Sequence, residues 1–321
     1  MIRRGLRLAL ATLLLACTGG AVAQVTCTAS MTDLAFGTVD PQSSQTDATA
    51  SFTYTCNNSA NQTRSARVCF SIGDGAQGAG QTNPRQMLSG ANVLTFQLYQ
   101  NASHSLVWGS DFFGVFSTPL EATLTIPRRS NGGGTATMYG RVTNNQTTAI
   151  PGSYLDDFSG GHTAITVNDV SGNTAPSTCD TAIAASFPFQ VTATVQNRCT
   201  VSATTLDFGT VGLLTSAKTA TSTLSVQCAN GTAYNVGLDA GLNGGGSITA
   251  RKMALGAARV GYQLYSNSAR TAVWGNTVGT DTVAGTGNGN PQNLTVYGNV
   301  PAQTTPAAGT YNDTIVVTVT Y

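Results

Sequence analysis

The chain states one module twice, and any fold proposed for it must hold both copies. The run Cys27-Thr-Ala-Ser-Met-Thr-Asp-Leu-Ala-Phe-Gly-Thr-Val returns as Cys199-Thr-Val-Ser-Ala-Thr-Thr-Leu-Asp-Phe-Gly-Thr-Val. Further landmarks keep the same order: Phe96-Gln-Leu-Tyr and Tyr262-Gln-Leu-Tyr, Val107-Trp-Gly and Val273-Trp-Gly, Tyr139-Gly and Tyr297-Gly, Gly152-Ser-Tyr and Gly309-Thr-Tyr. The copies differ in what precedes them. Phe187-Pro-Phe-Gln-Val-Thr-Ala-Thr-Val-Gln stands before Cys199, whereas little but an apolar leader stands before Cys27.

That leader reads as a secretion signal. Arg3, Arg4 and Arg7 form its basic start, residues 8–16 its apolar core, and Ala21-Val22-Ala23 a small-residue cleavage site. A lipoprotein signal presenting Cys17 is the competing reading. Removing residues 1–23 takes away three arginines and no acids, so the net charge moves from +1 to +1 − 3 = −2. With charged residues at only 9% of the chain, no basic patch for nucleic acid is expected. No later apolar run approaches the roughly 20 residues needed to span a bilayer. The expected path is export through the periplasm to the cell surface.

Six cysteines remain after cleavage, an even number that favours disulfides in an oxidising compartment. Cys199 follows Cys27 at the same offset as Cys228 follows Cys56, so the simplest pairing is Cys27–Cys56 and Cys199–Cys228. Cys69 and Cys179 have no counterparts in the second copy and are paired across the first. Each bridge contributes about 2–4 kcal/mol by restricting the unfolded chain. No Cys-x-x-Cys pair points to zinc, and no metal or cofactor is expected.

Apolar residues alternate through the chain with period two, as in Ile315, Val317, Val319 and Tyr321. Short strands between Gly, Asn and Pro indicate an all-β sandwich in each copy. Trp108 and Trp274 read as core anchors. The first copy carries the longer loops: the stretch from Trp108 to Tyr139 exceeds its counterpart from Trp274 to Tyr297. Long loops on a rigid sandwich are where binding commonly resides.

Cys-Thr-Val-Ser-Ala with Leu-Asp-Phe-Gly, then Tyr-Gln-Leu-Tyr, Val-Trp-Gly and the closing Gly-Thr-Tyr-Asn-Asp-Thr-Ile-Val-Val-Thr-Val-Thr-Tyr resemble the spore coat protein U domain of archaic, Csu-type chaperone–usher pili. The likeness is close over residues 187–321 and looser over 25–196. It implies two immunoglobulin-like, pilin-type sandwiches, each short of one strand that a neighbour supplies. It also implies a periplasmic chaperone, an outer-membrane usher and a next pilin subunit as partners.

Residues 187–196 suit such a strand. Phe187, Phe189, Val191, Ala193 and Val195 fall on one face, and burying the four large ones is worth up to about 6–12 kcal/mol. The expectation is a domain 24–196 closed from within by 187–196, and a domain 197–321 that needs a donor from another chain. After cleavage only Gln24, Val25 and Thr26 precede Cys27, and no strand follows Tyr321 to fill the second copy. A chain that accepts a strand but gives none to another ends a fibre. A tip adhesin attaching to abiotic or host surfaces and supporting biofilm formation is the leading expectation. A secreted coat or matrix protein and a carbohydrate-binding module are the alternatives.

An adhesive surface is sought in Phe112, Phe113, Val115 and Phe116, which lie in the longer loops of the first copy, or in Leu155 and Phe158. Exposed aromatic loops favour apolar targets, although the same residues could belong to the core. Catalysis is not expected. His104 and His162 lie in polar, loop-like sequence with no nucleophile elbow nearby, and the adjacent acids Asp156 and Asp157 read as a solvated turn.

Overall fold

A computed structural model describes residues 24–42, 44–77, 83–113 and 117–321, so the leader lies outside the described residues. Every regular element among them is a strand. The first domain contains β1 (Val25–Met31), β2 (Leu34–Val39), β3 (Thr46–Asn58), β4 (Arg64–Ile72), β5 (Arg85–Ser89), β6 (Asn92–Tyr99), β7 (Leu120–Ile126), β8 (Asn131–Val142), β9 (Gly152–Asp157), β10 (Thr163–Ser171), β11 (Ile183–Ala185) and β12 (Gln190–Val195). The second contains β13 (Cys199–Ala203), β14 (Lys218–Cys228), β15 (Ala233–Leu238), β16 (Lys252–Leu255), β17 (Ala258–Gly261), β18 (Gln263–Tyr265), β19 (Val283–Thr286), β20 (Gln292–Val300) and β21 (Val317–Thr320).

In the first domain an eight-stranded sheet runs β1-β3-β8-β6-β5-β9-β12-β2 and faces a four-stranded sheet β11-β10-β4-β7. β1 and β2 are consecutive in the chain yet form the two edges of the large sheet, so that sheet curls around the core. The alternating pattern of β3 explains its place: Ala50, Phe52 and Cys56 are buried while Ser51, Thr53 and Thr55 are exposed. Phe52 lies at the centre, within ring-packing distance of Phe70 (4.8 Å) and Trp108 (5.3 Å).

The second domain repeats the plan with smaller sheets, β13-β14-β20-β18 and β19-β15-β21, and a hairpin β16-β17. Trp108 and Trp274 are fully buried, and their indole N–H groups donate to Phe70 O and Val236 O at 2.8 Å each. Disulfides join Cys27 to Cys56, Cys69 to Cys179 and Cys199 to Cys228. The first and third each link directly opposed residues of neighbouring strands.

The domains meet end to end. Arg198 pairs with Asp40 just after β2, and Asn230 Nδ2 donates to Thr148 O at 2.9 Å. The loop after β8 thus rests on the loop after β14. No helix among the described residues is long and apolar enough to cross a membrane.

Candidate functional site

The strand before Cys199 does not join the domain that follows it. β12 lies between β9 and β2 of the first domain, antiparallel to β9 (Val191 opposite Asp156, Ala193 opposite Tyr154) and parallel to β2 (Val191 opposite Leu34). Its inward face and that of the residues leading into it are buried throughout: Phe187 0%, Phe189 3%, Val191 0%, Ala193 4% and Val195 4% exposed. Phe187 packs edge-on to Phe52 at 5.2 Å, and Phe189 stacks on Phe158 at 4.5 Å with the rings 3° from parallel. Such ring pairs contribute about 0.5–1.5 kcal/mol each beyond the area they bury. Pro188, which has no amide hydrogen to give a ladder, is exposed just ahead of the strand.

The second domain has the two flanks of this arrangement with no strand between them. Residues 206–211, the counterpart of β2, form no strand. The counterpart of β9, residues 309–313, keeps one bridge, Asn312 to Ala254. Burial changes accordingly. Leu34, Phe36, Tyr154 and Asp156 are buried, while Leu206, Phe208, Tyr311 and Asp313 are half-exposed. Between the two flanks runs a cleft of about 390 Å³, with Leu206, Phe208, Leu224, Tyr262, Ile315 and Val317 among its walls. The apolar alternation from Ile315 to Val317 lines it, whereas Tyr321 is exposed.

A polar cluster braces both domains at the same place, and sequence reading passes over it. Arg85 and Arg251 are 0% and 1% exposed. Arg85 donates to Ile72 O (2.9 Å), Gly73 O (2.6 Å), Trp108 O (2.8 Å) and Gln97 Oε1. Arg251 donates to Leu238 O (2.9 Å), Asp239 O (2.8 Å), Trp274 O (2.7 Å) and Gln263 Oε1 (2.8 Å). Burial holds the Arg85 guanidinium down at about 10 and lowers that of Arg251 as well. The clue in the sequence is spacing: Arg85 and Arg251, Gln97 and Gln263, and Trp108 and Trp274 all stand at one common offset.

Beside each arginine lies a carboxylate, Asp156 on β9 and Asp313 on the segment that is its counterpart. Asp313 Oδ1 accepts from Leu242 N and Asn243 Nδ2 (3.0 Å each), and its Oδ2 from the Tyr262 hydroxyl (2.7 Å). Asp156 Oδ1 accepts from Gln77 N at 3.0 Å, but its Oδ2 is buried and has no hydrogen-bond partner among the described residues. The position of Tyr262 is held by Phe96, which has no hydroxyl. Burial therefore pushes the Asp156 carboxyl up to about 7. Gly75 and Gly241, both at positive φ, lie against these acids, and a Cβ on either would sit 2.1 Å from the carboxylate Oδ2. This corrects the solvated-turn expectation: Asp156 is a fully buried strand residue, because β12 covers it.

The aromatic candidates divide. Phe112 and Phe113 lie outside strands in a bend held by Ser110, whose Oγ accepts both their amide hydrogens at 2.9 Å. Both are half-buried, with ring centroids 5.9 Å apart, and Phe113 packs against Gly73. Val115 and Phe116 lie outside the described residues. Phe158 is corrected as a surface candidate: it is fully buried against Phe189, and Leu155 is half-buried on β9. His104 lies 3.9 Å from Asp47, and His162 3.6 Å from Asp74. Glu121 stands beside the sulfurs of Cys69 and Cys179, but these are joined as a disulfide and have no thiolate to offer a metal.

Comparison with known proteins bears on both halves. The chain is 38% identical to Protein U of Myxococcus xanthus over 107 residues, 32% of this chain and 59% of that protein. Among solved structures it is similar to the chaperone–tip adhesion subunit pre-assembly complex of the archaic chaperone–usher Csu pili of Acinetobacter baumannii. That match has 14% identity and a TM-score of 0.50, and covers 92% of this chain and 100% of that one. The CupB6 tip adhesin of Pseudomonas aeruginosa matches over 92% of this chain and 94% of its own, at 11% identity and a TM-score of 0.37. The Spore Coat Protein U domain matches residues 11–159 and 185–318, so its second match begins ahead of β12, a strand that the fold assigns to the first domain. The chain belongs to the Spore Coat Protein U domain family and carries that domain twice.

Proposed function

We propose that this protein is the two-domain tip subunit of a surface pilus of the chaperone–usher type, with an adhesive first domain and a second domain that joins it to the fibre. One observation carries the reading: β12 belongs to the second family match yet completes the sheet of the first domain. The second domain keeps an apolar cleft where its own counterpart of β12 would lie. Strand addition, the mode by which pilins complement one another, fills such a cleft with backbone hydrogen bonds along both edges and side chains in alternate pockets.

An open apolar edge left in water pairs with whatever strand it meets. The second domain accordingly calls for a periplasmic chaperone after export, an outer-membrane usher for assembly, and the next pilin subunit as final donor. The first domain, closed within its own chain, faces outward on the cell surface. Its loop around Phe112 and Phe113 offers apolar area for attachment to abiotic or host surfaces and for biofilm formation.

Hydrogen exchange on the full chain tests the proposal. Amides of 206–211 and 309–313 should exchange quickly in the isolated protein and slowly once a pilus chaperone is bound, while 152–157 stays protected throughout. Equal protection of 309–313 and 152–157 without any partner would overturn it.

A further inference from the structure

We propose that the cleft of the second domain selects a strand with branched aliphatic side chains at its first two inward positions, and so rejects the segment 187–195 of another copy of this chain. The proposal rests on reading the cleft as a strand acceptor. The first domain supplies the template, because its cleft is occupied and its register is known.

Three aromatic walls receive the two phenylalanines of the resident strand. Phe187 meets Phe52 at 5.2 Å and Phe70 at 6.2 Å, both edge-on, and Phe189 stacks on Phe158 at 4.5 Å. The repeat maps these three onto Leu224 and Ile315, which line the second cleft, and Val236, which is fully buried in the core of the same domain. All three positions are aliphatic there. Other walls keep their identity: Leu34 maps onto Leu206, Phe36 onto Phe208 and Tyr154 onto Tyr311. The loss of rings includes the stretch where Phe187 and Phe189 would lie.

Two effects follow. A phenylalanine entering the second cleft at those positions loses the rings it would stack on or meet edge-on. The separation of two packed sheets is also set by the side chains that meet across it. Leu, Val and Ile walls close to a thinner core than three rings do, and a bulky ring forced into it adopts strained geometry. A strand with Ile, Val or Leu at those two positions fits the thinner core. Discrimination of this kind works against the wrong partner as much as for the right one: two copies do not cap each other, and the cleft stays free for a different protein.

The test uses the intact protein and two ten-residue peptides, one with the sequence of residues 187–196 and one carrying Phe187→Ile and Phe189→Ile. Binding is measured by titration and located by hydrogen exchange at 309–313. The aliphatic peptide should bind at least tenfold more tightly and protect 309–313. Equal or tighter binding by the native-sequence peptide overturns the selectivity while leaving the acceptor reading intact. Failure of both peptides to protect 309–313 overturns the acceptor reading, and the selectivity with it.

Discussion

Tyr262 gives its hydroxyl hydrogen to Asp313 across 2.7 Å, a bond that Phe96 cannot make to Asp156 in the other repeat. Duplication thus provides an internal control. Two carboxyls occupy one structural position, one saturated by donors and the other with a buried oxygen that has no partner among the described residues.

A pH dependence specific to the first domain follows. The folded-state carboxyl of Asp156 titrates at about 7, against roughly 3.9 for an unfolded aspartate. Between these values the folded state holds the extra proton, so this group's contribution to stability is fully present below the unfolded value and is lost as pH rises toward 7. Denaturant titrations from pH 4 to 8, followed by Trp108 fluorescence in a Trp274→Phe background, should show that decline. Phe96→Tyr and Asp156→Asn should each flatten it, the first by supplying a donor and the second by removing the titration.

The resident strand should dominate the stability of the first domain. Phe187 is fully buried among rings from both sheets. Phe187→Ala should cost about 3–5 kcal/mol. Gln190→Ala, exposed at the start of β12, should cost less than about 0.5 kcal/mol.

Gly75 and Gly241 answer to the same constraint, a Cβ that would collide with a carboxylate. Gly241→Ala should weaken the second domain by more than about 1 kcal/mol, since it adds left-handed backbone strain to the clash. Gly256→Ala also has a positive φ but open space around it, so it reports the backbone part alone. The difference between the two variants in thermal unfolding isolates the collision.

Adhesion should respond to Phe112. This side chain is half-buried and its backbone is held by Ser110 rather than by a strand. Phe112→Ser should lower retention of the protein on hydrophobic beads several-fold while the thermal midpoint shifts by only a few degrees. Phe158→Ser, in the core, should do the reverse and unfold the first domain before any surface effect can be read.

Most of the fold is legible in the residues because β structure writes its burial with period two. The five inward side chains from Phe187 to Val195 alternate without a break, and all five are buried. The repeat made the cysteine spacing readable in the same way. The brace around Arg85 and Arg251 is not legible from type alone, since arginine is almost never expected at full burial. Its partners are mostly backbone carbonyls, which leave no mark on sequence. Asp156 misleads for a related reason: two adjacent acids look solvated until β12, far downstream in the chain, is laid across one of them. Phe158 misleads because the ring that covers it, Phe189, is equally distant in the chain.

β12 runs into Cys199 with only Gln196, Asn197 and Arg198 between. Tension drawing the two domains apart therefore pulls β12 lengthwise. Its hydrogen bonds to β9 and β2 lie across that direction, so they resist together in shear and cannot be unzipped one at a time. On the other side of the junction the Cys199–Cys228 bond passes the pull covalently from β13 to β14, a central strand of its sheet. The pull across this joint is thus shared by many bonds at once on one side and carried by a covalent link on the other.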